Sequence, residues 1–72
     1  MQKIRTYVAI VTDGDLDVVE FDNEKERLGF LAGEDAMTSD YFNLDVDAEG
    51  LITTDSALTG DDAEELLDDM KD

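Results

Sequence analysis

Carboxylate oxygens are nearly the whole of this chain's reactive chemistry. Fourteen Asp and seven Glu stand among 72 residues, with no His and no Cys. Carboxylates at this density can share a proton, hold a cation, or present charge to a partner. Proton sharing for catalysis needs one carboxylate buried and shifted in pKa beside a second that stays ionised. A chain this short has little room for that pocket, and no imidazole is present to move protons near neutral pH. No P-loop, nucleophile elbow or dinucleotide fingerprint occurs. The expectation is a protein that is not an enzyme and has no cofactor.

Cation binding has two candidate segments. A calcium loop asks for oxygen ligands at positions 1, 3, 5 and 12, with Gly at 6. Asp13, Asp15, Asp17 and Glu24 meet the ligand spacing, but Val18 takes the glycine position. Asp45, Asp47 and Glu49 come closer, with Gly50 at position 6 and Ile52 at position 8. The stretch Asp45–Ile52 thus resembles the first two-thirds of an EF-hand loop. Ser56 stands where the bidentate Glu belongs, and Tyr41–Leu44 alternates like a strand rather than an entering helix. A bulged hairpin with acidic exposed residues is the favoured reading. Weak calcium binding at Asp45–Ile52 is the alternative, and no dedicated metal site is expected.

Presentation of charge remains. Twenty-one acids against five Lys and Arg give a formal net of −16. Nucleic-acid phosphates and anionic membranes would repel such a body, so neither is an expected partner. A basic, nucleic-acid-binding protein is. Acids at i and i+2 of a strand lie about 6.6 Å apart, a spacing of the right order for a phosphate track. The acids that regular elements would hold outward are Asp45, Asp47 and Glu49 on one hairpin, and Asp61, Asp62, Glu64, Glu65, Asp68 and Asp69 on the last helix. Asp13, Asp15 and Asp17 come second, because their hairpin has two apolar faces to cover.

The elements that must carry these acids are legible from periodicity. Ile4–Val11 is rich in β-branched and aromatic residues and reads as a strand. Asp13-Gly14 then marks a two-residue type I′ turn, and Leu16–Phe21 is the returning strand. That loop sets Val11 opposite Leu16 and Val8 opposite Val19. One face of the hairpin carries Val8, Ile10, Val19 and Phe21, and the other Tyr7, Val11, Leu16 and Val18. A hairpin apolar on both faces asks for cover on both, by two helices or by a helix and a second subunit.

Asp22 or Asn23 caps a first helix, with Glu26 completing an approximate capping box. Its buried stripe is Leu28, Leu31 and Ala32, and it ends at Gly33 or runs on to Met37. Tyr41–Val46 alternates strictly, and the apolar set Phe42, Leu44 and Val46 is expected to face the core. Asp47–Gly50 forms a turn, Leu51–Thr54 the fourth strand, and Ser56–Thr59 a link. Thr59 caps a last helix whose Ala63, Leu66, Leu67 and Met70 make one apolar stripe. The order is ββαββα: one acidic α+β domain over residues 1–72, with two helices on a small antiparallel sheet. No leader or membrane span is visible, which points to a cytoplasmic protein.

In size, charge and lack of catalytic residues, the whole chain resembles the acidic anti-defence proteins of phages and mobile elements. These include DNA-mimic anti-CRISPR and anti-restriction inhibitors. The resemblance is compositional and carries no shared motif. It implies an inhibitor that blocks the DNA- or RNA-binding groove of a host nuclease complex, in the host cytoplasm if the chain is phage-encoded. Two other readings compete. The acids can serve solubility in a salt-adapted cytosol, with the protein an interaction or structural subunit. A homodimer would bury one apolar hairpin face, provided its interface lies away from the acids.

Overall fold

A computed structural model describes residues 5–70 of the chain. It is an α+β domain in ββαββα order: β1 Arg5–Thr12, β2 Asp15–Phe21, α1 Glu24–Ala32, β3 Asp40–Val46, β4 Ile52–Ser56 and α2 Asp61–Asp69. Ile4, the expected first residue of β1, lies outside the described residues. The four strands form one antiparallel sheet in the order β2-β1-β3-β4.

The first hairpin is decided by its turn. Asp13 and Gly14 have φ of 50° and 88°, as a type I′ turn requires. The register follows, with Val11 opposite Leu16 and Val8 opposite Val19. In the second hairpin Gly50 takes φ 88°, and its N–H donates to the Asp47 carbonyl at 3.0 Å. The returning strand begins at Ile52 rather than Leu51 and runs through Ser56, which pairs with Phe42.

Asn23 caps α1: its Oδ1 accepts from the Glu26 N–H at 2.9 Å. The helix stops at Gly33 and does not reach Met37, because the Gly33 N–H turns back to the Phe30 carbonyl at 3.2 Å. At α2 the cap is Gly60 and not Thr59, with no side-chain oxygen serving the first turn. Gly60 instead donates its N–H to the Leu31 carbonyl at 3.1 Å, which ties the start of α2 to the end of α1. This geometry holds Gly60 at φ 63°, ψ −133°. Asp61, Asp62 and Glu64 then place negative charge at the positive end of the helix dipole.

Both helices lie on one side of the sheet. Antiparallel partners point to the same side, so Thr6, Val8 and Ile10 share a face with Val19, Phe21, Tyr41, Asn43 and Asp45. That face meets Leu28 and Leu31 of α1, and Ala63 of α2 closes the cluster. Val8, Leu28, Leu31, Tyr41 and Ala63 are its buried members. Phe21 and Phe30 add a tilted ring pair with centroids 5.3 Å apart. The expected facing of β3 is therefore reversed. Tyr41, Asn43 and Asp45 lie beneath the helices, while Phe42, Leu44 and Val46 lie on the sheet's other face. The expected stripe of α2 is only half used as well. Ala63 is buried, but Leu66 and Met70 remain 40% and 43% exposed, because α2 packs chiefly on α1.

Two outcomes test this packing. Gly60→Ala forces a side chain into a backbone region that L-residues rarely adopt, at a cost of about 1–3 kcal/mol, and should lower the urea midpoint accordingly. Tyr41 donates its hydroxyl to Glu34 Oε1 at 2.8 Å. That carboxylate, with burial, holds the Tyr41 pKa above the ordinary 10.0. The fold favours the protonated phenol, so this stability is whole below about pH 10 and is lost as pH rises through the raised pKa. Alkaline urea titrations should show the loss, and Tyr41→Phe should abolish this component.

Candidate functional site

The helix-bearing side holds most of the acids. Among the acids of the described residues, strand register places only Glu20 and Asp40 on the opposite face of the sheet. Asp15 and Asp17 of β2, Asp45 of β3 and Asp55 of β4 all point to the helix side. Turn geometry sets Asp13 at the exposed tip of the first hairpin.

Among the described residues Arg27 is the one buried cation, 3% exposed. It sits on α1 one residue before Leu28, so its guanidinium enters the helix–sheet interface from the edge of the apolar stripe. Its Nη1 donates to Asp45 Oδ1 at 2.9 Å and to the Tyr7 carbonyl at 3.3 Å. Its Nε donates to Glu24 Oε1 at 3.3 Å, and Nη2 pairs with Glu24 Oε2. One side chain thus joins α1 to β1 and β3. Asp45, expected as an exposed partner-facing acid, is half-buried and ion-paired. The periodicity of β3 is blind to this, since α1 is remote in sequence. The available signal was Arg27 itself: one of five bases, three residues after Glu24, beside the buried stripe.

Asp47 has a local structural task. Its Oδ1 accepts from the Glu49 N–H at 2.9 Å and the Leu51 N–H at 3.0 Å, which shapes the β3–β4 loop. Asp45, Asp47 and Glu49 are therefore not brought together as one donor set. Asp45 turns under the helices, Asp47 folds onto its own loop, and Glu49 is exposed at the tip. Among the described residues no group of three or more acids is arranged to hold a metal ion.

The remaining predicted acids form the outer surface of α2. Asp61, Asp62, Glu64, Glu65, Asp68 and Asp69 are all exposed. Six acids in nine residues at about 1.5 Å rise give roughly one charge per 2.2 Å of axis. Beside α2 runs a groove of about 650 Å³ between α1, α2 and β4. Leu28, Leu31, Leu58, Leu66 and Met70 give it an apolar lining, while Glu24, Asp55 and Asp69 add carboxylates. Asn43 also lines it, and its buried Oδ1 has no hydrogen-bond partner. The groove therefore offers apolar contact, negative charge and one unused acceptor.

No family model, curated protein or solved structure matches this chain. No helix among the described residues is long and apolar enough to cross a membrane.

The Arg27 cluster yields a test. Arg27→Ala leaves Glu24 and Asp45 without their shared cation and the Tyr7 carbonyl without its donor, and because both carboxylates keep access to water the loss is about 1–3 kcal/mol. Such a loss is a large fraction of the stability of a domain this small, so the variant should show a clearly lowered urea midpoint by circular dichroism. Replacing all three with apolar residues should recover much of the loss, because it removes the stranded charges as well.

Proposed function

We propose that this protein is a non-catalytic inhibitor that imitates nucleic-acid charge. It would occupy the Lys/Arg-lined groove of a nuclease complex, of the kind found in CRISPR or restriction defence. The observation that carries the reading is the outer surface of α2. Its roughly 2.2 Å per charge lies between about 3.4 Å for one DNA strand and about 1.7 Å for the duplex. A groove built to receive phosphates meets comparable charge on this helix, held on a folded body. None of Asp61, Asp62, Glu64, Glu65 and Asp69 has a salt-bridge partner among the described residues, so their charge is available to a cationic partner.

Partner contact is assigned first to Asp61, Asp62, Glu64, Glu65, Asp68 and Asp69, with Glu49, Asp13, Asp15 and Asp17 extending the field. Asp45 and Asp47 serve the fold instead. Long-range attraction would speed capture, and binding would weaken steeply with salt. The action is assigned to the host cytoplasm, where the target complex meets its DNA.

A gel-shift competition tests the reading. Purified defence nucleases bound to labelled DNA should release it as this protein is added, and less so at high salt. Glu64, Glu65 and Asp69 changed together to Lys should keep the fold. At about 1 kcal/mol for each reversed contact, they should weaken displacement by roughly 100-fold. A triple variant that still displaces DNA with full potency would clear α2 of the role.

A further inference from the structure

We propose that the helix-free face of the sheet is the interface of a homodimer, in which two copies stack sheet against sheet. Tyr7, Val11, Leu16, Val18, Leu44 and Ile52 lie together on this face. Leu16 is 65%, Val18 53% and Ile52 66% exposed, and no described element covers them. A lone exposed apolar residue is ordinary, but a contiguous patch across four strands marks an interface.

Charge selects the occupant. Among the described residues this face carries Arg5, Glu20 and Asp40, one base and two acids, for a formal net of −1 in a chain of −16. A basic partner drawn by the acids would find its attraction on the other side. The surface that fits an apolar, nearly neutral sheet face is another such face, and a second copy supplies it through a two-fold axis. Glu20 of β2 and Arg5 of β1 lie on the same face, and they offer charges of opposite sign to the facing copy.

Area and thickness agree. Four strands about 4.8 Å apart and seven residues at about 3.3 Å give a face of roughly 19 by 23 Å, or about 900 Å² of plan area for two copies. Side-chain relief lifts the buried surface toward the roughly 1,200–2,000 Å² of stable complexes. The chain itself is a slab of 37 × 35 × 15 Å, one sheet with one helix layer. Stacking two slabs builds a sandwich core of about 10 Å between their sheets. The helix layers then lie outermost, about 30 Å apart, which exceeds three Debye lengths at about 0.15 M salt. Doubling the −16 is thus tolerated at physiological salt and opposed at about 0.01 M, where the screening length is itself about 30 Å.

The interface does not rest on the inhibitor reading, and its test reads mass instead of DNA displacement. Sedimentation equilibrium of the full chain at micromolar concentration and about 0.15 M salt should give twice the 8.0 kDa chain mass. Lowering the salt to about 0.01 M should shift the equilibrium toward monomer. Val18→Glu on β2 and Ile52→Glu on β4 replace residues exposed in the single chain, so each variant should fold by circular dichroism. The two-fold axis buries each new carboxylate twice, and each variant should dissociate at least about 100-fold more readily. Leu66→Glu, on the outer helix layer, should leave the mass unchanged. A monomeric wild type would overturn the proposal and give the face to a different apolar partner. So would a dimer that both face variants leave intact, or one that Leu66→Glu dissolves.

Discussion

Burial of the Arg27 guanidinium holds this fold in its particular arrangement. It reaches Glu24 on its own helix, Asp45 on β3 and the Tyr7 carbonyl on β1. A buried ion cluster adds little net stability, because desolvation offsets most of the attraction. It is costly to break, however, and directional to form. Helix α1 can slide or rotate on the sheet only by abandoning those hydrogen bonds. Position follows for the rest: Leu28 and Leu31 drop onto Val8 and Tyr41, and the Leu31 carbonyl is set where Gly60 docks and launches α2.

That chain of dependence explains how a body of net −16 stays ordered. Two carboxylates share the single positive charge of Arg27, one is hydrogen-bonded by Tyr41, and Asp47 is absorbed by its own loop. The acids on α2 are pushed outward by the same geometry, since Ala63 faces in and its neighbours must face out. Repulsion is relieved by spreading acids over the helix side and the hairpin tips. The apolar sheet face is left nearly uncharged. One layer of the molecule thus carries the field, and the other carries the unmet burial.

The partition also shows where local pattern was sufficient. Asp13-Gly14 admits one hairpin register, and the observed pairing is the expected one. Asn23 was one of two legible caps, and the apolar stripe of α1 is the one that buries. β3 failed in a specific way. Its alternation was real, but the apolar set Phe42, Leu44 and Val46 faces away from the helices. Both faces of the first hairpin are apolar, so hydrophobicity could not say which one α1 would choose. The β1–β3 register places Asn43 beside Val8 and Tyr41 beside Ile10, so when α1 covers the Val8 side these β3 residues are covered with it. Asp45 went with them, from expected surface acid to partner of Arg27.

Sequence by itself determined the elements, their order, the two hairpin turns and the density of acid on α2. These depend on contacts a few residues apart, where steric limits on φ and the periods of strand and helix leave little freedom. Tertiary structure alone decided which sheet face is covered, which acids are free and which are structural, and that a broad apolar surface stays open. Those outcomes depend on pairings between β1 and β3 and between Arg27 and Asp45, far apart along the chain. No local period encodes such a pairing. It exists only once the sheet has chosen a register and the helix has chosen a side.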